Sequence, residues 1–297
     1  MKAKLKAHLW TLPRWFATPF FAGPAILGAL LTADLSPNSW LGVITATLVM
    51  AGGHSFNTVL DYSWTGLDKG DEESRSAEKD YTGGQSVIAR GILTPKEVAL
   101  NASCWYFLAL GPLIYLTINV GWQIMLIGIL GMGVTFWYAK AKFNWTHELA
   151  LGTATGPLAV LAGMFATSSS APWTTGLVVS VPFAIILAFA GLALDEWPDA
   201  EANLKNGVKS MAYKVWENGL SLEWYLTSWL LFMYLYQVFL ITSGILVPLT
   251  AISFFSWPLM LAGFVMMKQD FRKWAGLAVL SALTYPILLV VGQFIGQ

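Results

Sequence analysis

Long apolar stretches alternate with short polar interruptions along the whole chain. A membrane-spanning helix needs roughly 20 mostly apolar residues, and nine stretches of about this length can be distinguished. They cover residues 15–33, 41–60, 98–117, 122–139, 149–166, 177–194, 222–242, 245–266 and 274–294. The pattern therefore predicts an all-α integral membrane protein, with nine transmembrane helices in a single polytopic domain over residues 1–297.

The charges of the interruptions predict an orientation. If the amino terminus is cytoplasmic, all 17 Lys and Arg residues fall on the cytoplasmic side, and Asp34 is the only acidic residue outside. Cytoplasmic loops of multi-pass proteins carry an excess of Lys and Arg. We expect a cytoplasmic amino terminus, an external carboxyl terminus and a retained first span, because no small-residue cleavage site follows the first apolar stretch. Without organelle-targeting features, a prokaryotic cell membrane is expected.

The composition excludes other classes of protein. Hydrophobic residues make up 56% of the chain and charged residues 11%, whereas about a quarter of a soluble domain is charged. The net charge of zero argues against nucleic-acid binding, and a single cysteine, Cys104, excludes an internal disulfide. Membrane lipids are the expected surroundings.

Acidic side chains cluster where the second and sixth predicted helices end. Asn57, Asp61 and Asp68 lie within about 40° of one another on a continued helix, and Asp195 and Asp199 are one turn apart. Acids at helix ends are often merely solvated, but two clusters at equivalent ends favour a site. Carboxylate and amide oxygens suit Mg²⁺. Two facing clusters, with nearby Lys and Arg, would hold a diphosphate and make it a leaving group.

Further motifs surround these acids. They are Asn57, Asp61 and Gly66-Leu67-Asp68 in the first cluster, Gly83-Gly84-Gln85-Ser86-Val87-Ile88-Ala89-Arg90-Gly91-Ile92-Leu93-Thr94-Pro95 in the next loop, Tyr138, Glu148 and Gly156-Pro157-Leu158 around the fourth and fifth helices, and Pro198-Asp199, Asn203, Gly207 and Lys209 in the second cluster. The set resembles the UbiA-type superfamily of membrane prenyltransferases over most of the chain, and its 1,4-dihydroxy-2-naphthoate (menaquinone) branch in particular. Thr65 stands where the superfamily more often has an acid, so that Asp68 takes its place.

The resemblance implies a fold and a set of site residues. It implies nine helices around a central cavity, with a cytoplasmic-side cap formed by the loops after helices 2 and 6. Two Mg²⁺ ions are implied, one held by Asn57, Asp61 and Asp68 and the other by Asp195 and Asp199. The expected substrate-binding residues are Arg14, Asn57, Lys142, Lys205 and Lys209. The expected catalytic residues are Asp61, Asp199, Tyr138 and Glu148.

The implied reaction is the Mg²⁺-dependent transfer of an isoprenyl group from an isoprenyl diphosphate to an aromatic acceptor such as a dihydroxynaphthoate, in menaquinone biosynthesis. Ionisation of the diphosphate gives an allylic cation, which the electron-rich acceptor ring attacks. Tyr138 either stabilises this cation or is a structural residue at the membrane interface. Glu148 or an Asp of the second cluster would orient or deprotonate the acceptor. Other acceptors in the superfamily are 4-hydroxybenzoate, homogentisate, a chlorin or a glyceryl lipid.

Two other functions stay open. An ion-coupled transporter would use the acids to bind its coupling ion, although the acids lie at one face of the membrane and not at its midplane. A non-catalytic prenyl-lipid-binding protein would bind the diphosphate without turnover.

Overall fold

The computed structural model describes residues 2–32, 35–67, 86–197, 200–267 and 269–297. Within these ranges the chain is helical and contains no strand. We number the nine main helices along the chain: α1 Pro19–Leu30, α2 Pro37–Leu60, α3 Pro95–Asn119, α4 Gln123–Ala141, α5 His147–Thr167, α6 Trp173–Glu196, α7 Leu222–Thr242, α8 Pro248–Met266 and α9 Phe271–Gly296.

Eight of these helices, α2 to α9, are long and apolar enough to cross a membrane. The first predicted span is instead divided into a 3₁₀ turn, Trp15–Ala17, and the 12-residue α1. Pro19 begins α1. A proline is well suited to the first helical turn, because it has no backbone N–H and those of this turn have no partner within the helix. At 1.5 Å per residue α1 is about 18 Å long. Nine full-length spans are therefore not confirmed in the described part of the chain.

Local sequence explains where α2 and α3 begin. Each starts with a proline in its first turn, preceded by a capping box: Ser36 with Ser39 at α2, and Thr94 with Glu97 at α3. In a capping box the two residues satisfy each other's free backbone N–H groups. Both helices therefore begin a few residues before the apolar stretches that predicted them.

The helix α5 lies at the centre of the bundle, in contact with α1, α2, α4 and α6. Two glycines allow α1 to cross it closely. A Cβ at Gly28 would lie 2.0 Å from the carbonyl oxygen of Val160, and a Cβ at Gly163 would lie 1.8 Å from that of Ala25. Small residues at such crossings are typical of membrane helices, because van der Waals contact between backbones drives their association.

Two short helices, Ala200–Lys205 and Met211–Glu217, follow α6. Ala200, Val208 and Tyr213 of this segment are buried, and Leu67 and Phe143, which follow α2 and α4, pack against them. The segment thus covers the carboxyl ends of α2 and α4. The loop after α2 lies outside the described residues from 68 to 85, so a cap formed by both loops stays a prediction.

Candidate active site

A cavity is lined mainly by residues of α1, α2, α4, α5, α6, α8 and α9. Along α4 its lining runs from Ile124 to Tyr138, a distance of about 21 Å. Most lining side chains are aliphatic or aromatic. The polar ones are Arg14, Thr45, His54, Asn57, Thr135, Tyr138 and Asp195. All but Thr45 lie towards the carboxyl ends of α2, α4 and α6, which we call the polar end of the cavity.

Three helices that line the cavity contain π-helical turns. Residues Asp61–Thr65 continue α2, Ala154–Leu158 lie within α5, and Ile185–Gly191 lie within α6. A π turn holds an extra residue and changes the direction of the side chains that follow it, and such turns are frequent at functional sites. In α2 and α6 the π turn lies at or just before the acidic cluster.

Asp61 is the centre of a buried charge network. Its side chain is 1% exposed, and its Oδ2 accepts hydrogen bonds from Lys142 Nζ at 2.6 Å and from Asn57 Nδ2 at 2.8 Å. Lys142 comes directly after α4 and is itself buried. Each of these two buried charges has lost its hydration, and the opposite charge beside it compensates for that loss. The fold therefore brings three predicted site residues together from two distant parts of the chain.

Three buried oxygens at this end have no hydrogen-bond partner among the described residues: Asp61 Oδ1, Asn57 Oδ1 and Asp195 Oδ1. Buried polar atoms are normally paired, and carboxylate and amide oxygens are the donors that Mg²⁺ prefers. These residues therefore fit a magnesium site that is completed by substrate or water oxygens. The described ranges hold no group of three or more His, Cys, Asp or Glu side chains that could bind a metal. The predicted ligands Asp68 and Asp199 lie outside those ranges.

Arg14 supplies an unpaired cation at the same end. Its backbone is left-handed, with φ of 53°, which is uncommon for a residue other than glycine. The Nε and Nη2 atoms are buried without a hydrogen-bond partner in the part of the chain that the structure describes, and the side chain lines the cavity. A guanidinium presents several donors in a fixed plane and suits phosphate oxygens. The prediction of Arg14 as a substrate-binding residue agrees with this placement.

His54 and Thr135 line the polar end but were not among the predicted site residues. His54 Nδ1 is buried, and no described residue forms a hydrogen bond with it. His54 precedes Asn57 by three residues and Asp61 by seven, so all three share one helix face. This spacing was the signal for His54. Thr135 accepts or donates a hydrogen bond with Tyr106 at 2.8 Å, a contact between α3 and α4 for which the sequence gives no signal.

Tyr138 lines the cavity next to the charge network. Lys142 Nζ lies 5.2 Å from the centre of its ring, within range of a cation–π interaction. The His147 ring packs against it at 4.5 Å, and His147 Nδ1 lies 3.2 Å from Glu196 Oε1. An aromatic face thus borders the polar end of an otherwise apolar chamber.

Glu148 does not line the cavity. Its Oε1 accepts the backbone N–H of Met211 at 2.5 Å, and the carboxylate also contacts the Ser210 hydroxyl. Two residues earlier, the backbone N–H of Lys209 donates to the Lys142 carbonyl at 2.6 Å. Glu148 therefore fastens the segment after α6 to the end of α4 and the start of α5.

The remaining two predicted substrate-binding residues, Lys205 and Lys209, are exposed and do not line the cavity. Lys205 Nζ instead pairs with Glu201 at 2.8 Å. Its hydrogen bond holds the pKa of the Glu201 carboxyl below the usual value. The structure thus brings Arg14, Asn57, Asp61, Tyr138, Lys142 and Asp195 to the polar end, but not these two lysines.

The fold and the site define a class: a helical, multi-pass integral membrane protein whose apolar chamber ends in oxygen ligands and cations. The model of the UbiA prenyltransferase family matches residues 19–283. The chain therefore belongs to the UbiA prenyltransferase family and is a membrane-embedded prenyltransferase. Residues 2–14 lie outside the matched region.

Individual relatives agree with this assignment. The chain is 24% identical over 265 residues to 1,4-dihydroxy-2-naphthoate octaprenyltransferase of Bacillus subtilis (strain 168), covering 86% of this chain and 81% of that protein. Its fold is similar to that of digeranylgeranylglyceryl phosphate synthase, with a TM-score of 0.61, 16% identity, and coverage of 100% of this chain and 99% of that one. A UbiA homologue from Archaeoglobus fulgidus bound to GPP and Mg²⁺ gives a TM-score of 0.61, 15% identity, and coverage of 96% and 99%.

Proposed function

We propose that the protein transfers an isoprenyl group from an isoprenyl diphosphate to an aromatic acceptor of the dihydroxynaphthoate type, in a Mg²⁺-dependent reaction. The observation that carries the proposal is the polar end of the cavity. There, unpaired oxygens of Asn57, Asp61 and Asp195 and the unpaired guanidinium of Arg14 adjoin one long apolar chamber. Such a site suits an amphipathic substrate with an anionic head and a hydrocarbon tail.

The head of the substrate is assigned to the polar end. Asn57, Asp61 and Asp195 would hold magnesium through the oxygens that lack partners, and Asp68 and Asp199 are the proposed further ligands. Magnesium bound there supplies positive charge that stabilises the departing diphosphate. Arg14 binds the diphosphate oxygens, and Lys142 neutralises Asp61 while its ammonium stays at the same end. The relatives from Archaeoglobus fulgidus bound to DMAPP or GPP with Mg²⁺ support this choice of ligand.

The chain's own residues also govern the cationic stage of the reaction. Cleavage of the carbon–oxygen bond leaves an allylic cation and releases diphosphate. The face of Tyr138 stabilises positive charge, while apolar walls such as Phe20, Leu158 and Ile186 exclude the water that would quench it. Attack by a ring carbon of the acceptor forms the new carbon–carbon bond, and loss of a proton from that carbon restores the aromatic ring.

Two predicted roles change with the geometry. We assign Glu148 to positioning, since its carboxylate is engaged by Met211 and Ser210 outside the cavity. This leaves Asp195 or the predicted Asp199 to orient or deprotonate the acceptor. Lys205 and Lys209 are exposed, and we propose that they attract the anionic substrate towards the opening of the cavity. The proposed orientation has the polar end and the amino terminus in the cytoplasm of a prokaryotic cell and the carboxyl terminus outside.

The dihydroxynaphthoate acceptor is supported by the naphthoate-acting relative from Bacillus subtilis. The test uses the purified protein in lipid nanodiscs, with geranyl or geranylgeranyl diphosphate, a panel of aromatic acceptors, and either Mg²⁺ or EDTA. Diphosphate release and products are followed by mass spectrometry. We expect Mg²⁺-dependent release coupled to one prenylated naphthoate. Release coupled to a different acceptor would overturn the proposed acceptor. The absence of both diphosphate binding and diphosphate release would overturn the whole proposal.

A further inference from the structure

The residues that precede the first 3₁₀ turn form a strap across the polar end of the bundle. The strap, residues 2–14, consists of a helical turn, Lys2–Lys6, a π turn, Ala7–Thr11, and a short connection to Trp15. Ala7 and Leu12 are buried and pack in one cluster with Val98 of α3. The strap is thus folded onto the bundle, and it is separate from the residues matched by the family model.

One side chain of α3 connects the strap to the helices beneath it. Asn101 Nδ2 donates to the backbone carbonyl of His8 at 3.1 Å. Its Oδ1 accepts hydrogen bonds from Ser55 of α2 at 2.9 Å and from Trp105 Nε1 at 3.1 Å. The amide is held on one edge by α2 and α3 and presents its other edge to the strap. Its orientation is therefore fixed before it binds the strap.

Other contacts support the same attachment. Trp15 Nε1 donates to the Leu9 carbonyl at 2.7 Å, and its ring packs edge-on against Trp105 with centres 5.5 Å apart. Lys4 pairs with Glu97 at 2.8 Å. This ion pair is exposed and contributes little by itself. The hydrogen bonds of Asn101 and Trp15 therefore hold the strap at His8 and Leu9.

The strap ends at Arg14, which has a left-handed backbone and an unpaired guanidinium facing the cavity. A strained backbone persists only where its surroundings enforce it. The attachment at His8 and Leu9 supplies that constraint a few residues away. We infer that Asn101 is a positioning residue for the reaction proposed above: it latches the strap to α2 and α3 and so holds the Arg14 guanidinium at the polar end.

The test combines kinetics with a measurement that needs no turnover. The variants are Asn101→Ala, Arg14→Ala and the double variant, all in nanodiscs. Asn119→Ala is the matched control, because Asn119 lies on the same helix, is exposed and donates to the Tyr115 carbonyl within its own helix. Amide hydrogen exchange of residues 7–17 measures how often the strap opens. The change in KM for geranylgeranyl diphosphate, compared with the change in kcat, measures whether Arg14 still binds the substrate.

We expect Asn101→Ala to raise KM about three- to tenfold, as for the loss of one or two hydrogen bonds, with a smaller change in kcat. Arg14→Ala should raise KM by about tenfold or more, since its hydrogen bonds to an anion are charge-assisted. In the Arg14→Ala background, Asn101→Ala should add nothing to KM, because coupled residues are not additive. Exchange at residues 7–17 should become faster in Asn101→Ala and stay unchanged in the control.

Independent, additive effects on KM, or unchanged exchange in Asn101→Ala, would overturn the inference. If Asn101→Ala does not give a monodisperse protein, Trp15→Phe keeps the ring contact but removes the bond to Leu9, and it should show the same changes at smaller size. If the wild-type protein shows no transfer, the proposed function fails. The exchange experiment then still decides whether Asn101 holds the strap.

Discussion

The carboxyl ends of α2 and α6 both carry acids near the polar end of the cavity, but the two ends differ in how their charge is compensated. Asp61, after α2, is fully buried and bonded to Lys142 and Asn57. Asp195, near the end of α6, is half-buried, lines the cavity and leaves its Oδ1 without a hydrogen-bond partner. The first acid stabilises the fold and is also a proposed metal ligand, whereas the second is available to ligands alone.

Because of this difference, a change at Asp61 should lower both stability and activity, whereas a change at Asp195 should lower mainly activity. Removal of one member of a buried ion pair leaves the other charge uncompensated and costs about 3–5 kcal/mol. Removal of a half-buried acid without such a partner costs much less. The two ends should therefore respond differently to the same chemical change, a carboxylate replaced by an amide.

The largest effect is expected for Asp61→Asn. The change removes a proposed metal ligand and leaves Lys142 as an uncompensated buried cation. Transfer should fall by at least about 100-fold, as when a charge-stabilising group is removed from an active site. The unfolding free energy should fall by about 3 kcal/mol or more. Product formation and thermal unfolding in nanodiscs measure the two quantities.

The double variant Asp61→Asn/Lys142→Met is the control, since it removes both charges together. It should recover most of the lost thermal stability but none of the activity. Recovery of activity together with stability would show that Asp61 serves the fold alone.

A smaller total effect is expected for Asp195→Asn. Transfer should again fall by at least about 100-fold, while the unfolding free energy changes by only about 0.5 kcal/mol, as for residues outside the packed core. Glu201→Gln, an exposed acid five residues from the end of α6, is the matched control and should keep its activity. An Asp195→Asn protein as unstable as Asp61→Asn would remove the contrast between the two ends.

Glu148 sharpens the comparison, since it is a buried acid outside the cavity. An amide oxygen can still accept the backbone N–H of Met211. Glu148→Gln should therefore keep its rate within about threefold, whereas Glu148→Ala loses the hydrogen bond and about 1 kcal/mol of stability. Steady-state rates and melting temperatures of Glu148→Gln and Glu148→Ala measure the two effects. A Glu148→Gln rate as low as that of Asp195→Asn would instead make Glu148 the proton acceptor.

The smallest effect is expected for Lys205→Ala. Lys205 is exposed and paired with Glu201 on its own helix, and such pairs contribute about 0.5 kcal/mol or less. The kcat should not change, and KM for the diphosphate should rise by about twofold at low salt and not at all at high salt, where surface charges are screened. A salt-independent loss of kcat would place Lys205 in contact with the bound diphosphate.

The sequence predicted the helices well because a helix that crosses the hydrocarbon core of a bilayer needs a continuous apolar stretch of roughly 20 residues. Eight of nine predicted stretches became full-length helices, with ends set by local signals such as the capping box of Thr94 and Glu97. The first stretch differs because Pro19 begins a new helix inside it. Hydropathy averages over such a residue and does not register the break.

The site was predictable where its residues share a helix and not where they meet across the fold. Asn57 and Asp61 were found from their spacing, whereas His54, which shares their helix face, was not predicted as a site residue. The pairing of Asp61 with Lys142 joins residues 81 positions apart, and the engagement of Glu148 by Met211 joins residues 63 apart. Such contacts depend on helix packing. The solvent exposure of Lys205 and Lys209 likewise depends on how the segment after α6 folds.

The most direct test of the central claim is an experimental structure of the protein in nanodiscs with Mn²⁺ in place of Mg²⁺ and a non-hydrolysable thio analogue of geranylgeranyl diphosphate. The account predicts metal density at the oxygens of Asn57, Asp61 and Asp195, at about 2.0–2.2 Å as for hard cations of this size, with the diphosphate at Arg14 and the tail along the apolar chamber. A diphosphate bound elsewhere, or metal density away from all three oxygens, would contradict it.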